Sequence, residues 1–201
     1  MKILCVSDAI DPYVFSIHIK ERFTVDAVLC AGDLPLEYVE FLSSALGKPV
    51  FFVSGNHHGF AGDCAGGVYA GFRCLEADIR GTKVLIAGAS GAPGPRGDPG
   101  GRADRAMKAR LLALYPRLLW NKLRRGRYLD VFLTYAPPRG INDRDDMAGF
   151  PCFRSFIERF APAFHIHGFV HLFDPRAPRR TIHGKTTVVN AGGFQVIEIP
   201  G

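Results

Sequence analysis

Four polar side chains, Asp8, Asp33, Asn56 and His171, each stand where an apolar, strand-like run gives out. Polar groups gathered at the carboxyl ends of strands are how open α/β sheets build ligand and metal sites. Carboxylate, amide and imidazole together form a donor set suited to a divalent cation. Each residue also has a plainer role. Asp8 and Asp33 could cap the segments that follow them, although two carboxylates converging at neighbouring strand ends repel unless a cation or a shared proton lies between them. Asn56 could stabilise the turn after Gly55, and His57 could be a hydrogen-bonded structural histidine.

The elements that must position these groups follow from hydrophobic patterning. Short runs at Ile3 to Val6, Ala27 to Cys30 and Val50 to Val53 alternate with amphipathic segments at Phe15 to Phe23 and Leu36 to Leu46. Repeated βα units of this kind predict a layered α/β domain. Val68 to Leu75 and Lys83 to Ala87 flank Gly81 and read as strands joined by a turn, which predicts a second, partly antiparallel sheet. Residues 91–101 are too rich in Gly and Pro for regular structure. Their few Gly triplets do not make a collagen repeat, and Arg96-Gly97-Asp98 is most simply a turn. From Arg102 to Arg125 the leucines recur at mostly helical spacing, which predicts one or two helices broken or kinked at Pro116. A strand at Leu129 to Leu133, a helix at Phe153 to Phe160 and a strand at Phe164 to Ile166 follow, and Thr187 to Ile199 is expected to close the chain as a hairpin around Gly192-Gly193.

A chain of 201 residues, 47% of them hydrophobic, suits a single domain spanning 1–201, since that size buries roughly 70% of the unfolded surface. The N-terminus enters a strand directly, and no run approaches the ~18 apolar residues of a membrane span, so a soluble cytoplasmic protein is expected. The five cysteines are odd in number and lack CxxC spacing, which points to reduced thiols. Much of the net charge of +6 falls between Arg96 and Arg127. That stretch lacks the interleaved aromatics of a single-strand binding platform, so it reads as a solvated helix face and argues against a nucleic-acid partner.

Five blocks carry a family resemblance: VSDAID (Val6 to Asp11), AGDL (Ala31 to Leu34), SGNHH (Ser54 to His58), TYAPP (Thr134 to Pro138) and HGFVH (His167 to His171). In this order they resemble the calcineurin-like metallophosphoesterases, whose pattern is D-x-H, GD, GNH[DE], a strand ending in H, and GHxH. The resemblance implies a four-layer α/β/β/α sandwich with a dinuclear metal site at the strand ends. Asp33 would bridge the two ions, one metal would take Asp8 and His171, the other Asn56, and His57 would be the catalytic histidine at the leaving group or phosphate.

Three positions depart from that pattern. Ile10, Tyr135 and Phe169 stand where the family has imidazole ligands. The second metal would lose both imidazoles, whereas Asp8, Asp33 and His171 could still hold one Mn²⁺, Fe²⁺ or Mg²⁺. Asp11 precedes Pro12 and is either a substitute ligand or a turn residue. Tyr135 and Phe169 could stack in the emptied volume, or the Tyr135 hydroxyl could reach a phosphate or Asp33. His58 occupies a carboxylate position and cannot orient His57 as an acid would. His165, His167 and His171 alternate, and the first two are expected to be structural. Arg139 could pair with phosphate or lie at the surface.

Two functions follow from these residues. One is a phosphomonoesterase or phosphodiesterase with at most one metal, acting on a phosphorylated small molecule. The other is an inactive pseudo-phosphoesterase that serves as a scaffold, meeting a protein partner through the basic segment 102–127 or the apolar positions around Phe169.

Overall fold

The computed structural model describes residues 1–56, 60–94, 101–172 and 178–199. Among them, β1 (Lys2–Ser7), β2 (Ala27–Cys30), β3 (Val50–Phe52), β4 (Gly67–Tyr69) and β11 (Gly193–Glu198) form one sheet in the order β11-β1-β2-β3-β4. The other sheet has the order β5-β6-β7-β8-β10-β9, from β5 (Cys74–Ile79), β6 (Thr82–Ala89), β7 (Val131–Thr134), β8 (Phe164–His167), β9 (Arg180–His183) and β10 (Thr186–Asn190). Parallel pairing runs through β1, β2, β3 and β4 in the first sheet and through β6, β7, β8 and β10 in the second. Strands β1, β2 and β7 are almost wholly apolar because both faces of each are covered.

Three apolar clusters define the layers. Ile3, Leu29 and Phe51 of the first sheet meet Ile86, Leu133, Ile166 and Val189 of the second in a shared core between the sheets. On the outer face of the first sheet, Leu4, Val28 and Phe52 pack against α1 (Ile19–Arg22) and α2 (Leu36–Leu46). On the outer face of the second, Leu85, Phe132 and Val188 pack against α3 (Arg102–Leu112), α4 (Tyr115–Arg125) and α5 (Pro151–Phe160). The arrangement is the expected α/β/β/α sandwich. Helix α2 stops at Gly47, whose φ of 64° lets its N–H turn back to the Ser43 carbonyl at 2.8 Å.

Local boundaries differ from expectation in three places. The segment from Phe15 to Phe23 is helical only at Ile19–Arg22, because Phe15 and Ile17 face solvent while hydrogen bonds from Val14 and Phe15 to the Asp11 carbonyl wind the chain into turns. Val68 to Leu75 divides between the sheets: β4 extends the first, and β5 pairs antiparallel with β6 in the second. Thr187 to Ile199 is not a hairpin. After Asn190 the chain crosses from one sheet to the other, so β10 pairs with β8 and β9 while β11 pairs antiparallel with β1. The hairpin lies one strand earlier, between β9 and β10, where Gly184 turns the chain at φ 60°.

All five cysteines are free thiols, as their spacing predicts. No helix among the described residues is long and apolar enough to cross a membrane.

Candidate functional site

Parallel strands deliver their carboxyl ends to one edge, and the two sheets bring their edges together there. Asp8 follows β1, Asp33 follows β2 and Asn56 follows β3, while Tyr135 follows β7 and Phe169 and His171 follow β8. These six residues and Met147 line one cleft. All four polar candidates for the metal site therefore meet, with two of the three departing positions among them. Ile10 stands apart: it is 42% exposed and does not line the cleft. His57 and His58 lie outside the described residues.

The cleft is built on unusual backbone. Asp8 (φ 66°), Asp33 (φ 52°) and Phe169 (φ 67°) all occupy the left-handed region, which costs a non-glycine residue free energy and recurs at functional sites as well as in turns. Hydrogen bonds hold Asp8 and Phe169 in place. The Phe169 N–H donates to both carboxylate oxygens of Asp8, at 3.0 and 3.1 Å. The Asp8 N–H donates to the Gly32 carbonyl at 3.2 Å, and the Gly168 N–H to the Tyr135 carbonyl at 3.0 Å. Gly168 sits so close to Ser7 and Asp8 that a Cβ there would overlap both side chains.

Tyr135 closes the site from the second sheet. Its side chain is buried, and its hydroxyl donates to Asp33 Oδ2 at 2.5 Å. The ring lies against Gly32, where a Cβ would collide with it, and meets the Phe169 ring edge to face at 5.4 Å. Of the outcomes expected for Tyr135, the hydroxyl engages Asp33, while the two rings meet edge to face rather than stacked and line the cleft without filling it. Burial, then the hydrogen bond to Asp33, then the charges of Asp8 and Asp33 push the Tyr135 phenol well above its ordinary range, so it remains a donor. Burial also raises Asp8 above the usual carboxylate range, while hydrogen bonds from Ser7 and Phe169 and the nearby His171 oppose the shift.

The remaining candidates sort readily. His165 and His167 are fully buried. Because the Thr134 hydroxyl donates to the Ala136 carbonyl at 2.6 Å, His165 Nε2 donates to Thr134 Oγ1 at 2.8 Å. His167 Nδ1 donates to the Gly168 carbonyl at 2.9 Å, and neither ring lines the cleft. Asp11 serves its turn, accepting from the Tyr13 N–H at 2.8 Å. Arg139 is exposed and paired with Asp143 and Asp145. The turn from Asn190 to Gly193 lines a hollow beside the cleft: Asn190 donates to the Val170 carbonyl at 2.8 Å and accepts from the Gly192 N–H at 2.8 Å.

Two lining residues were not legible in the sequence. Met147 faces the main cleft, and Arg179 joins Asp8, His171, Asn190 and Gly192 around an adjoining hollow, where Arg179 Nη1 donates to the Gly192 carbonyl at 2.5 Å. Both come from loops without a motif, so only the fold could place them. Arg179 brings a cation beside Asp8 and His171, a setting that attracts anions.

A sequence model of the calcineurin-like phosphoesterases matches residues 1–172. The chain belongs to that family. Among solved structures, the phosphoesterase fold seen here is similar to that of TT1561 of Thermus thermophilus, with a TM-score of 0.63 and 17% identity over 96% of this chain and 89% of that one. An archaeal phosphodiesterase also matches, at a TM-score of 0.40 and 14% identity over 96% of this chain and 84% of that one. No curated protein sequence matches the chain significantly.

Divalent metals are general to calcineurin-like phosphoesterases. Among the described residues, no three His, Cys, Asp or Glu side chains are grouped so as to hold a metal ion. Asp33 Oδ2 and both oxygens of Asp8 already accept hydrogen bonds from Tyr135 and Phe169.

Proposed function

We propose that this calcineurin-like phosphoesterase keeps the family framework but not two-metal turnover, and that any phosphoester hydrolysis it performs is weak and uses at most one divalent cation. The observation that carries this reading is the hydrogen bond from the Tyr135 hydroxyl to Asp33, the residue that the family pattern makes the metal bridge. A neutral phenol held on that oxygen by burial and charge competes with a cation for it. Phe169 fills the neighbouring ligand position with a ring that offers no lone pair.

Asp8, Asp33, Asn56 and His171 share the cleft and are the residues that would hold a single Mn²⁺, Fe²⁺ or Mg²⁺, although they do not stand grouped round an ion's position as they are. Such an ion would polarise a phosphoryl oxygen as a Lewis acid. The protein's own part is to orient: Arg179 shares with Asp8 and His171 the hollow that adjoins the cleft, and its guanidinium favours an anionic phosphoester there. By the family pattern His57 would donate a proton to the leaving oxygen.

A second reading, an inactive scaffold, is favoured by the packing of Tyr135 and Phe169 into the cleft. Hydrolysis of p-nitrophenyl mono- and diesters in Mn²⁺ decides between them. Slow turnover that Asp33→Ala abolishes supports the single-metal hydrolase. Turnover no faster than that of Asp33→Ala supports the scaffold. A kcat near the enzymic median of about 10 s⁻¹ contradicts the proposal.

A further inference from the structure

Helix α4 turns its apolar residues the wrong way for a helix that merely packs on a sheet. At 100° per residue, Leu118 and Asn121 share the inward face, where Leu118 is buried and Asn121 donates to the Tyr128 carbonyl at 3.1 Å. Pro116, Leu119, Trp120 and Leu123 fall on the opposite side. Leu119 is 56% exposed, Trp120 47% and Leu123 79%. Arg117 and Arg124 border this ridge on one flank and Lys122 on the other, and the Arg124 guanidinium lies 5.6 Å from the Trp120 ring centre. From Arg105 to Leu129 the sequence has eight Lys or Arg residues and no Asp or Glu.

We propose that α4 is a docking ridge for an anionic lipid surface. A ridge of Leu and Trp flanked by cations is the pattern of a helix that lies in the membrane interface, with its apolar side chains among the acyl chains and its basic residues at the phosphates. Trp prefers that boundary because its ring is apolar and its N–H polar. Charge complementarity selects the occupant. A second copy of the chain would set Arg117 and Arg124 against their like across the contact, which costs free energy. The ridge is convex, so it suits a flat or yielding surface better than a partner's projecting side chain. This inference is independent of whether the cleft turns over substrate.

The chain carries its own probe, since Trp120 is its single tryptophan. Vesicles of phosphatidylcholine alone, and with roughly one-third phosphatidylglycerol, are mixed with the full chain while tryptophan emission and co-sedimentation are followed. The expected result is attachment to the anionic vesicles with a blue shift, and little attachment to the neutral ones. Leu119→Ser with Leu123→Ser abolishes the blue shift, and Arg117→Gln with Arg124→Gln weakens attachment by about thirtyfold, as the loss of two surface charges requires. All four side chains are exposed, and unchanged circular dichroism and melting confirm that the variants fold. No attachment, or equal attachment to neutral vesicles, overturns the proposal. So does a blue shift that follows protein concentration, the sign of a second copy, or one produced by polyglutamate, the sign of an acidic protein partner. Attachment to an oligonucleotide that survives the leucine substitutions, with no vesicle binding, overturns it in favour of nucleic acid.

Discussion

The hydroxyl of Tyr135 donates to Asp33 Oδ2 at 2.5 Å, joining residues 102 positions apart and carried by different sheets. The bond ties the end of β7 to the end of β2 and satisfies a carboxylate in a partly buried cleft. A charge-assisted bond of this kind contributes more than a neutral one.

Tyr135→Phe keeps the ring and removes that donor. The expected cost is about 1–2 kcal/mol, read as a lower urea midpoint with an unchanged slope. Saturating Mn²⁺ should then raise the variant's midpoint more than that of the wild type, because the phenol no longer competes with the cation for Asp33.

Gly32→Ala attacks the same bond from behind. Gly32 has φ 101°, and a Cβ there would meet the Tyr135 ring. The substitution strains the backbone and displaces the ring, so it should destabilise by roughly 2–3 kcal/mol, more than Tyr135→Phe. Equilibrium denaturation of the two single variants and the double variant measures this, with a double variant less destabilised than the sum because both act on Tyr135.

The buried histidines predict acid sensitivity. Burial and the neighbouring His167 lower His165 well below the ordinary 6.5, and burial lowers His167 to about 4. Unfolded chains take up protons as pH falls through 6.5, while the folded protein resists until lower pH, so the stabilising contribution is complete above 6.5 and is lost on acidification from there towards about 4. His165→Phe, set among Phe132 and Phe153, should reduce the slope of stability against pH across that window by about one proton, ~1.4 kcal/mol per pH unit. Urea midpoints between those pH values give the slope.

Much of this was legible because burial on both faces leaves a plain mark. The apolar runs at Ile3 to Val6, Ala27 to Cys30 and Leu129 to Leu133 each became a strand within a residue or two, and the polar residues after them fell at the cleft. Which sheet a strand joins leaves no such mark. Thr187 to Ile199 reads as two strands around a glycine turn whether they pair or part, and only packing parts them at Ala191. Likewise the left-handed backbone at Asp8 and Asp33 carries no mark in residue type, and the approach of Arg179 to Gly192 depends on a crossing between sheets. The direction in which the leucines of α4 face leaves no mark for a simpler reason. Helical spacing shows that a stripe exists, not which stripe meets the core.

Restoring the family's ligands is a constructive check. Tyr135→His with Phe169→His replaces the phenol donor and the phenyl ring at the cleft by two imidazoles, and should raise Mn²⁺ affinity by at least about tenfold over the wild type, measured by calorimetric titration.

The most direct test of the central claim is the number of Mn²⁺ ions bound per wild-type chain at saturation, by elemental analysis after equilibrium dialysis, with Asp33→Ala as the control. At most one ion is expected, lost in Asp33→Ala. Two ions per wild-type chain would contradict it, since Tyr135 could not then be holding Asp33 as its hydrogen-bond partner in the working protein.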